Sequence, residues 1–134
     1  SRLCIPEMQK AGGGAILNIA SIAGRESGSA MTYNASKAAL ISFSKALAQQ
    51  TAKDNIRVNS LAPGSILFPG GVWDRRMAAS PDGLQSFVES NLPRGRFGRP
   101  EEIANVAVFM VSPRASLVDG ACWNVDGCQS RSNI

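Results

Sequence analysis

Tyr33 and Lys37 stand four residues apart in the run Tyr33-Asn34-Ala35-Ser36-Lys37. On a helix that spacing puts both side chains on one face. A phenol ordinarily titrates at about 10, and an ammonium one turn away favours its phenolate form. The pair therefore reads as a general acid–base that needs no imidazole. Ser21 comes twelve residues earlier, just after a short apolar run. In parallel α/β sheets ligands sit at the carboxyl ends of the strands, so Ser21 is placed to hydrogen-bond a substrate oxygen beside Tyr33. Residue types alone leave an alternative open, in which the pair is an ordinary amphipathic coincidence and Ser21 caps a turn. A Ser–Lys hydrolase built on Ser21 and Lys37 has no support beyond residue types, and Lys37 has the better role beside Tyr33.

Composition removes several other chemistries. The 134 residues include no histidine, which excludes Ser-His-Asp and Cys-His nucleophiles and His-ligated zinc. The three cysteines, Cys4, Cys122 and Cys128, form no CxxC pair. They read as free thiols in a reducing, cytoplasmic setting. The net charge is +4. Its nearest cluster, Arg94, Arg96 and Arg99, lies among Gly and Pro and reads as a solvated loop, so no nucleic acid is expected as a partner. No apolar run approaches the roughly 20 residues of a membrane span, so no membrane partner is expected either. The start, Ser1-Arg2-Leu3-Cys4-Ile5-Pro6-Glu7, does not form a secretory signal, and the missing initiator Met suggests a trimmed chain.

The elements that must position these groups follow from pattern. Residues 1–11 read as the end of a helix closed by Gly12-Gly13-Gly14. Ala15–Ala20 is a continuous apolar run that suggests a strand buried on both faces. Residues 21–30 are a Gly/Ser-rich loop. From about Met31 to Asp54 there is no Pro or Gly and much alanine, which predicts a long helix. Its apolar residues go nearly all the way round, so one side should meet a sheet and another a second subunit. Ile56–Leu61 predicts a second strand, stopped by Pro63-Gly64. Residues 65–92 are irregular, with helical possibilities near 73–79 and 83–90. Pro100-Glu101-Glu102 opens a helix to about Val111, and Ala121–Val125 is a third strand. The order α-β-α-β-α-β implies an α/β fold with a parallel sheet and right-handed crossovers. There is no repeat and no linker, so residues 1–134 form one domain.

The text around these residues resembles the short-chain dehydrogenase/reductase family. The resemblance rests on Asn18-Ile19-Ala20-Ser21-Ile22-Ala23-Gly24, Tyr33-Asn34-Ala35-Ser36-Lys37, Arg57-Val58-Asn59-Ser60-Leu61-Ala62-Pro63-Gly64, Gly95-Arg96-Phe97-Gly98-Arg99-Pro100-Glu101-Glu102-Ile103-Ala104 and Val125-Asp126-Gly127, in the family's order. The flavour is similar to 3-oxoacyl carrier-protein reductases and sugar or alcohol dehydrogenases. The resemblance implies a Rossmann-like, three-layer αβα fold and an NAD- or NADP-dependent oxidoreductase that interconverts a secondary alcohol and a ketone. It makes Tyr33 the acid–base and Lys37 the group that tunes Tyr33 and holds the nicotinamide ribose. Ser21 orients the carbonyl, and Pro63, Gly64 and Ile66 line the nicotinamide. Asn59 is a structural hydrogen-bonder. The partners implied are a small carbonyl or alcohol substrate and further copies of the chain, as a homodimer or homotetramer. The family's Gly-rich cofactor loop and its catalytic Asn would lie upstream of Ser1. The chain thus reads as a single partial domain, the C-terminal half of the fold, with Phe68 where the family often has Thr. The alternative is a truncated, non-catalytic remnant that only associates with other subunits.

Two loops complete the expectations. Phe68, Trp73 and Met77 fall in a long apolar segment beside the site and read as a substrate lid, or else as residues that merely pack the segment down. Arg75 and Arg76 in the same segment either meet an anionic tail or are exposed loop charge. Gly24-Arg25-Glu26-Ser27-Gly28-Ser29-Ala30 fits a loose glycine pattern, a weak signal on its own, and reads as the active-site loop rather than a phosphate cradle.

Overall fold

Alanine-rich sequence without Gly or Pro does produce one long helix, and that helix sets the geometry of the rest. The structure is a computed structural model and describes residues 3–133. The helix α1 spans Ile5–Lys10, so the expected helical residues 1 and 2 lie outside the described part. The strand β1 is Gly14–Ile19, followed by a short 3-10 turn at Ile22–Gly24. The long helix α2 is Met31–Thr51, and β2 is Ile56–Pro63. Two further helices follow, α3 (Val72–Ala79) and α4 (Pro81–Asn91). Then come α5 (Pro100–Val111) and β3 (Cys122–Val125). Among the described residues the strands form one parallel sheet in the order β1-β2-β3, with Ile16 opposite Val58 and Leu61 opposite Trp123.

Alternation along β2 sends its side chains to two layers. Ile56 and Val58, both fully buried, pack with Leu47 and Ala48 of α2 and with Ile5 and Met8 of α1. Arg57 points from the opposite pleat. Its guanidinium donates to the carbonyls of Met110 (2.8 Å), Ser112 (3.0 Å) and Val118 (3.1 Å), which places a cation on the negative end of α5. Asn59 sits beside it, buried. It donates to Val118 O at 2.7 Å and accepts from Ala121 N at 2.9 Å. This side-chain amide ties β2 to the segment entering β3, as expected of a structural hydrogen-bonder. Helices thus cover both faces of a parallel sheet.

One expectation needs correction. The strand β1 is not buried on both faces. Ile19 is 47% exposed and the rest of the strand is half-buried, because β1 is an edge of the described sheet and nothing pairs with its outer side. Within this chain, α2 buries the side that carries Ser44, Leu47, Ala48 and Thr51. Phe43 remains 47% exposed on an apolar outer side that this chain does not cover. No helix among the described residues is long and apolar enough to cross a membrane.

Candidate active site

Parallel strands put all their carboxyl ends on one side, and every loop that leaves those ends enters the same cleft. Ser21 follows β1, the segment Gly64-Ser65-Ile66 follows β2, and Cys128, Gln129, Arg131 and Ser132 follow β3. The cleft holds about 1680 Å³ and is open to solvent. Ser21, Tyr33, Gly64, Ile66, Phe68 and Trp73 all line it.

Ser21 caps the 3-10 turn, its Oγ accepting from Ala23 N at 3.1 Å. Ser21 thus caps the turn and also lines the cleft. Tyr33 lies in the first turn of α2 and is 43% exposed to the cleft. The Lys37 Nζ sits 5.6 Å from the centre of the Tyr33 ring and donates to Ile19 O, at the end of β1, at 3.0 Å. This bond ties the ammonium to the strand end that precedes Ser21. A second anchor holds α2 on β1: Asn18 Nδ2 donates to Ser44 Oγ at 2.8 Å, and that hydroxyl donates to Leu40 O at 2.7 Å.

The approach of the loop to α2 depends on Gly24. A Cβ there would lie 2.6 Å from the Lys37 carbonyl carbon and 2.8 Å from its oxygen. Within the glycine pattern, Gly24 is therefore the position that lets the loop pack closely on the Tyr33–Lys37 turn.

Three residues expected at the site do not line the cleft. Lys37 is bonded to Ile19 O, Pro63 is the last residue of β2, and Met77 packs with Leu84, Leu92 and Phe97. The helical i, i+4 stripe that carries Trp73 also turns Met77 onto α4, so of this pair only Trp73 reaches the cleft. Trp73 stands in an aromatic cluster, tilted against Phe87 at 4.4 Å and against Phe97 at 5.2 Å between ring centres.

Sequence reasoning missed the tail that lines the cleft. Gln129 Oε1 accepts from Ser65 N at 2.7 Å, and its Nε2 donates to Ser65 Oγ at 2.9 Å. Glu26 accepts from Arg131 N at 2.8 Å and Ser130 Oγ at 3.1 Å, binding the active-site loop to the tail. Only Val125-Asp126-Gly127 signalled the turn that starts this tail. Asp126 accepts there from the backbone of Cys128 and Ser130. Among the described residues no group of three or more His, Cys, Asp or Glu is placed to hold a metal.

On the outer side of the cleft, Ile66 is fixed by a bridge to Gly98, with Leu67 N donating to Gly98 O at 2.9 Å and Gly98 N to Ser65 O at 3.0 Å. The Gly98 loop is held in turn by Glu102 at the start of α5. Its carboxylate accepts from Arg96 at 2.7 and 2.9 Å and from Arg99 N at 2.8 Å. The Arg96 hydrogen bond, then the Arg99 N–H, pull the Glu102 carboxyl from 4.5 down to about 2. A depressed carboxylate stabilises the fold fully above its unfolded value and loses that contribution as pH falls through its folded one. The Glu102→Gln protein should therefore be less stable than wild type at neutral pH, and the gap should close between pH 4.5 and 2. Urea midpoints measured across that range check it; a gap that stays constant down to pH 2 contradicts the assignment.

The chain is similar to known proteins in sequence and in fold. A family model described as enoyl-(acyl carrier protein) reductase matches residues 1–129. The 3-oxoacyl-[acyl-carrier-protein] reductase of Chlamydia trachomatis is 44% identical over 125 residues, which cover 92% of this chain and 48% of that protein. The crystal structure of L-sorbose reductase from Gluconobacter frateurii, complexed with NADPH and L-sorbose, superposes with a TM-score of 0.88 at 40% identity, covering 98% of this chain and 52% of that one. A 7α-hydroxysteroid dehydrogenase complexed with NADH and 7-oxo glycochenodeoxycholic acid gives 0.84 at 38% identity, over 99% of this chain and 51% of the other. The chain spans about half the length of the curated relatives it matches. A match that runs from the first residue almost to the last, on a parallel sheet whose strand ends carry Ser21 and Ile66 into one cleft, makes this chain a member of the short-chain dehydrogenase/reductase family.

Proposed function

We propose that the protein carrying this chain is an NADPH- or NADH-dependent oxidoreductase that interconverts a secondary alcohol and a ketone, with Tyr33 as its acid–base. The observation that carries the reading is the convergence of a hydroxyl, a phenol and an ammonium at the end of one strand: Ser21 and Tyr33 in the cleft, and Lys37 bonded to Ile19 O. Relatives crystallised with NADPH and with NADH support the cofactor class without choosing between the two.

The chain's own groups fit such a cofactor. One Lys37 N–H is used on Ile19 O, which leaves two for the ribose hydroxyls. Gly64 and Ile66 line the cleft at the end of β2, with Pro63 directly before them, where they bound the space for a nicotinamide ring. When bound, the nicotinamide supplies or accepts the hydride. Ser21 accepts from Ala23 N, which leaves its O–H available to donate to a substrate oxygen. In the reductive direction Tyr33 gives its proton to that oxygen as negative charge develops there. Lys37 stabilises the phenolate that remains, and Ser21 shares the charge. Phe68 and Trp73 cover the apolar side of the substrate.

On this reading the 134 residues are one partial domain, and the glycine-rich cofactor half is supplied by chain beyond it. Half a cofactor site holds its ligand poorly, so the chain alone turns over little. The open outer edge of β1 favours a second reading of the isolated chain, as a remnant that associates with other subunits. The uncovered apolar side of α2 around Phe43 fits a dimer or tetramer contact.

Isotope transfer tests the reaction class. The intact protein, given a ketone and the nicotinamide cofactor deuterated at C4, is expected to place the label on the carbinol carbon. Deuterium recovered only in water or in unreacted cofactor rules out direct hydride transfer.

A further inference from the structure

We propose that the molecule taken by this cleft joins an apolar body to an anionic oxygen group, and that the Arg76 guanidinium receives that group. The inference rests on the oxidoreductase reading for the reacting end of the substrate and extends it to the far end. The wall facing the substrate is apolar: Ile66, Phe68, Val72, Trp73, Phe87 and Leu92. Trp73 is locked into that wall by its two aromatic neighbours. Arg76 follows on the same helix, with its guanidinium carbon 4.8 Å from the centre of the Trp73 ring. A guanidinium over an indole keeps its N–H groups free at the rim, where they match two oxygens of a carboxylate, sulfonate or phosphate.

The other charges at the cleft are already engaged or lie on the far segment. Glu89 accepts from Gln85 at 2.7 Å. Glu26 accepts from the tail, and Arg25 donates to Cys122 O at 2.9 Å. The Arg76 side chain has no hydrogen-bond or ion-pair partner among the described residues, and Arg131 lines the same cleft from the tail. Three guanidiniums to two carboxylates line the space, a balance that favours an anion. A cation fixed on an aromatic wall, with its donors uncommitted, discriminates against an uncharged ligand of the same length.

The test is a binding measurement that needs no turnover. Calorimetry on the intact protein compares octanoate and octyl phosphate with octanamide, all three sharing one apolar chain. At least one anion should bind about tenfold or more tightly than octanamide, the scale of a charged hydrogen bond. Arg76→Gln should erase that preference and leave octanamide binding unchanged. Arg76→Lys should restore part of it. Whichever anion shows the Arg76-dependent gain identifies the headgroup. Equal binding of all three ligands, or an anion preference that survives Arg76→Gln, overturns the proposal. Arg76 is exposed, and circular dichroism of each variant verifies the fold. A null effect of Tyr33→Phe on turnover would remove the acid–base assignment and leave this binding result standing, so the two failures are distinguishable.

Discussion

Tyr33→Phe should lower kcat of the intact protein by about 100-fold or more, with KM for the ketone changed little, since a positioned general acid–base contributes about 10²–10⁴. The substitution removes one oxygen and keeps the ring. The ring's position follows from helix α2, the anchor Asn18–Ser44 and the Lys37 bond to Ile19 O, none of which involves the phenol oxygen. A merely structural tyrosine would show the opposite pattern, with a small rate effect and a drop in stability. Steady-state kinetics with paired thermal melts separate the two. A rate within about threefold of wild type would remove Tyr33 from the chemistry. Lys37→Met provides an internal comparison, since it leaves the phenol in place and removes both the neighbouring ammonium and the donor to Ile19.

The second large effect should come from a residue that touches no substrate. Gly24→Ala puts a methyl carbon 2.6 Å from the Lys37 carbonyl carbon and 2.9 Å from Ala38 N. Both are backbone atoms, so no rotamer change relieves the overlap. Either the 3-10 turn or the helix must move. The first shift displaces Ser21, which caps that turn, and the second displaces Tyr33 and Lys37 together. A misplacement of about 1 Å can cost about 100-fold in rate. The expected result is a folded protein with a loss of that order in kcat/KM and a lowered melting temperature. Gly28→Ala is the control in the same loop, since a Cβ there meets nothing within 4 Å. Its positive φ of 127° costs backbone strain without crowding α2. If Gly24→Ala keeps full activity while Gly28→Ala loses it, close packing against α2 is not what the loop requires.

Much of this site was legible in the sequence because its logic is local. The Tyr33–Lys37 spacing is one helical turn. The strand before Ser21 shows as an apolar run, and Pro100-Glu101-Glu102 marks a helix start that is present at that residue. What stayed hidden depends on contacts between distant segments. Nothing around Ser130-Arg131-Ser132 indicates that this polar stretch returns to Glu26 to form a wall of the cleft. The partial exposure of β1 was equally unreadable, because strand composition reports apolar residues and not whether a neighbour covers them. Met77 shows the same limit at smaller scale. Its place in an apolar segment was clear, whereas what it packs against was decided by how α3 leans on α4.

The fastening of the tail has a consequence for the order of assembly. Its bonds join residues 64, 104 and 105 positions apart, while the Tyr33–Lys37 turn forms within a single helix. Long loops must close before such bonds return any free energy. The wall formed by residues 128–132 should therefore be the last piece to dock during folding and the first to peel away in the native state, with its amides trading hydrogen for deuterium while those of Val58 and Leu61 stay protected.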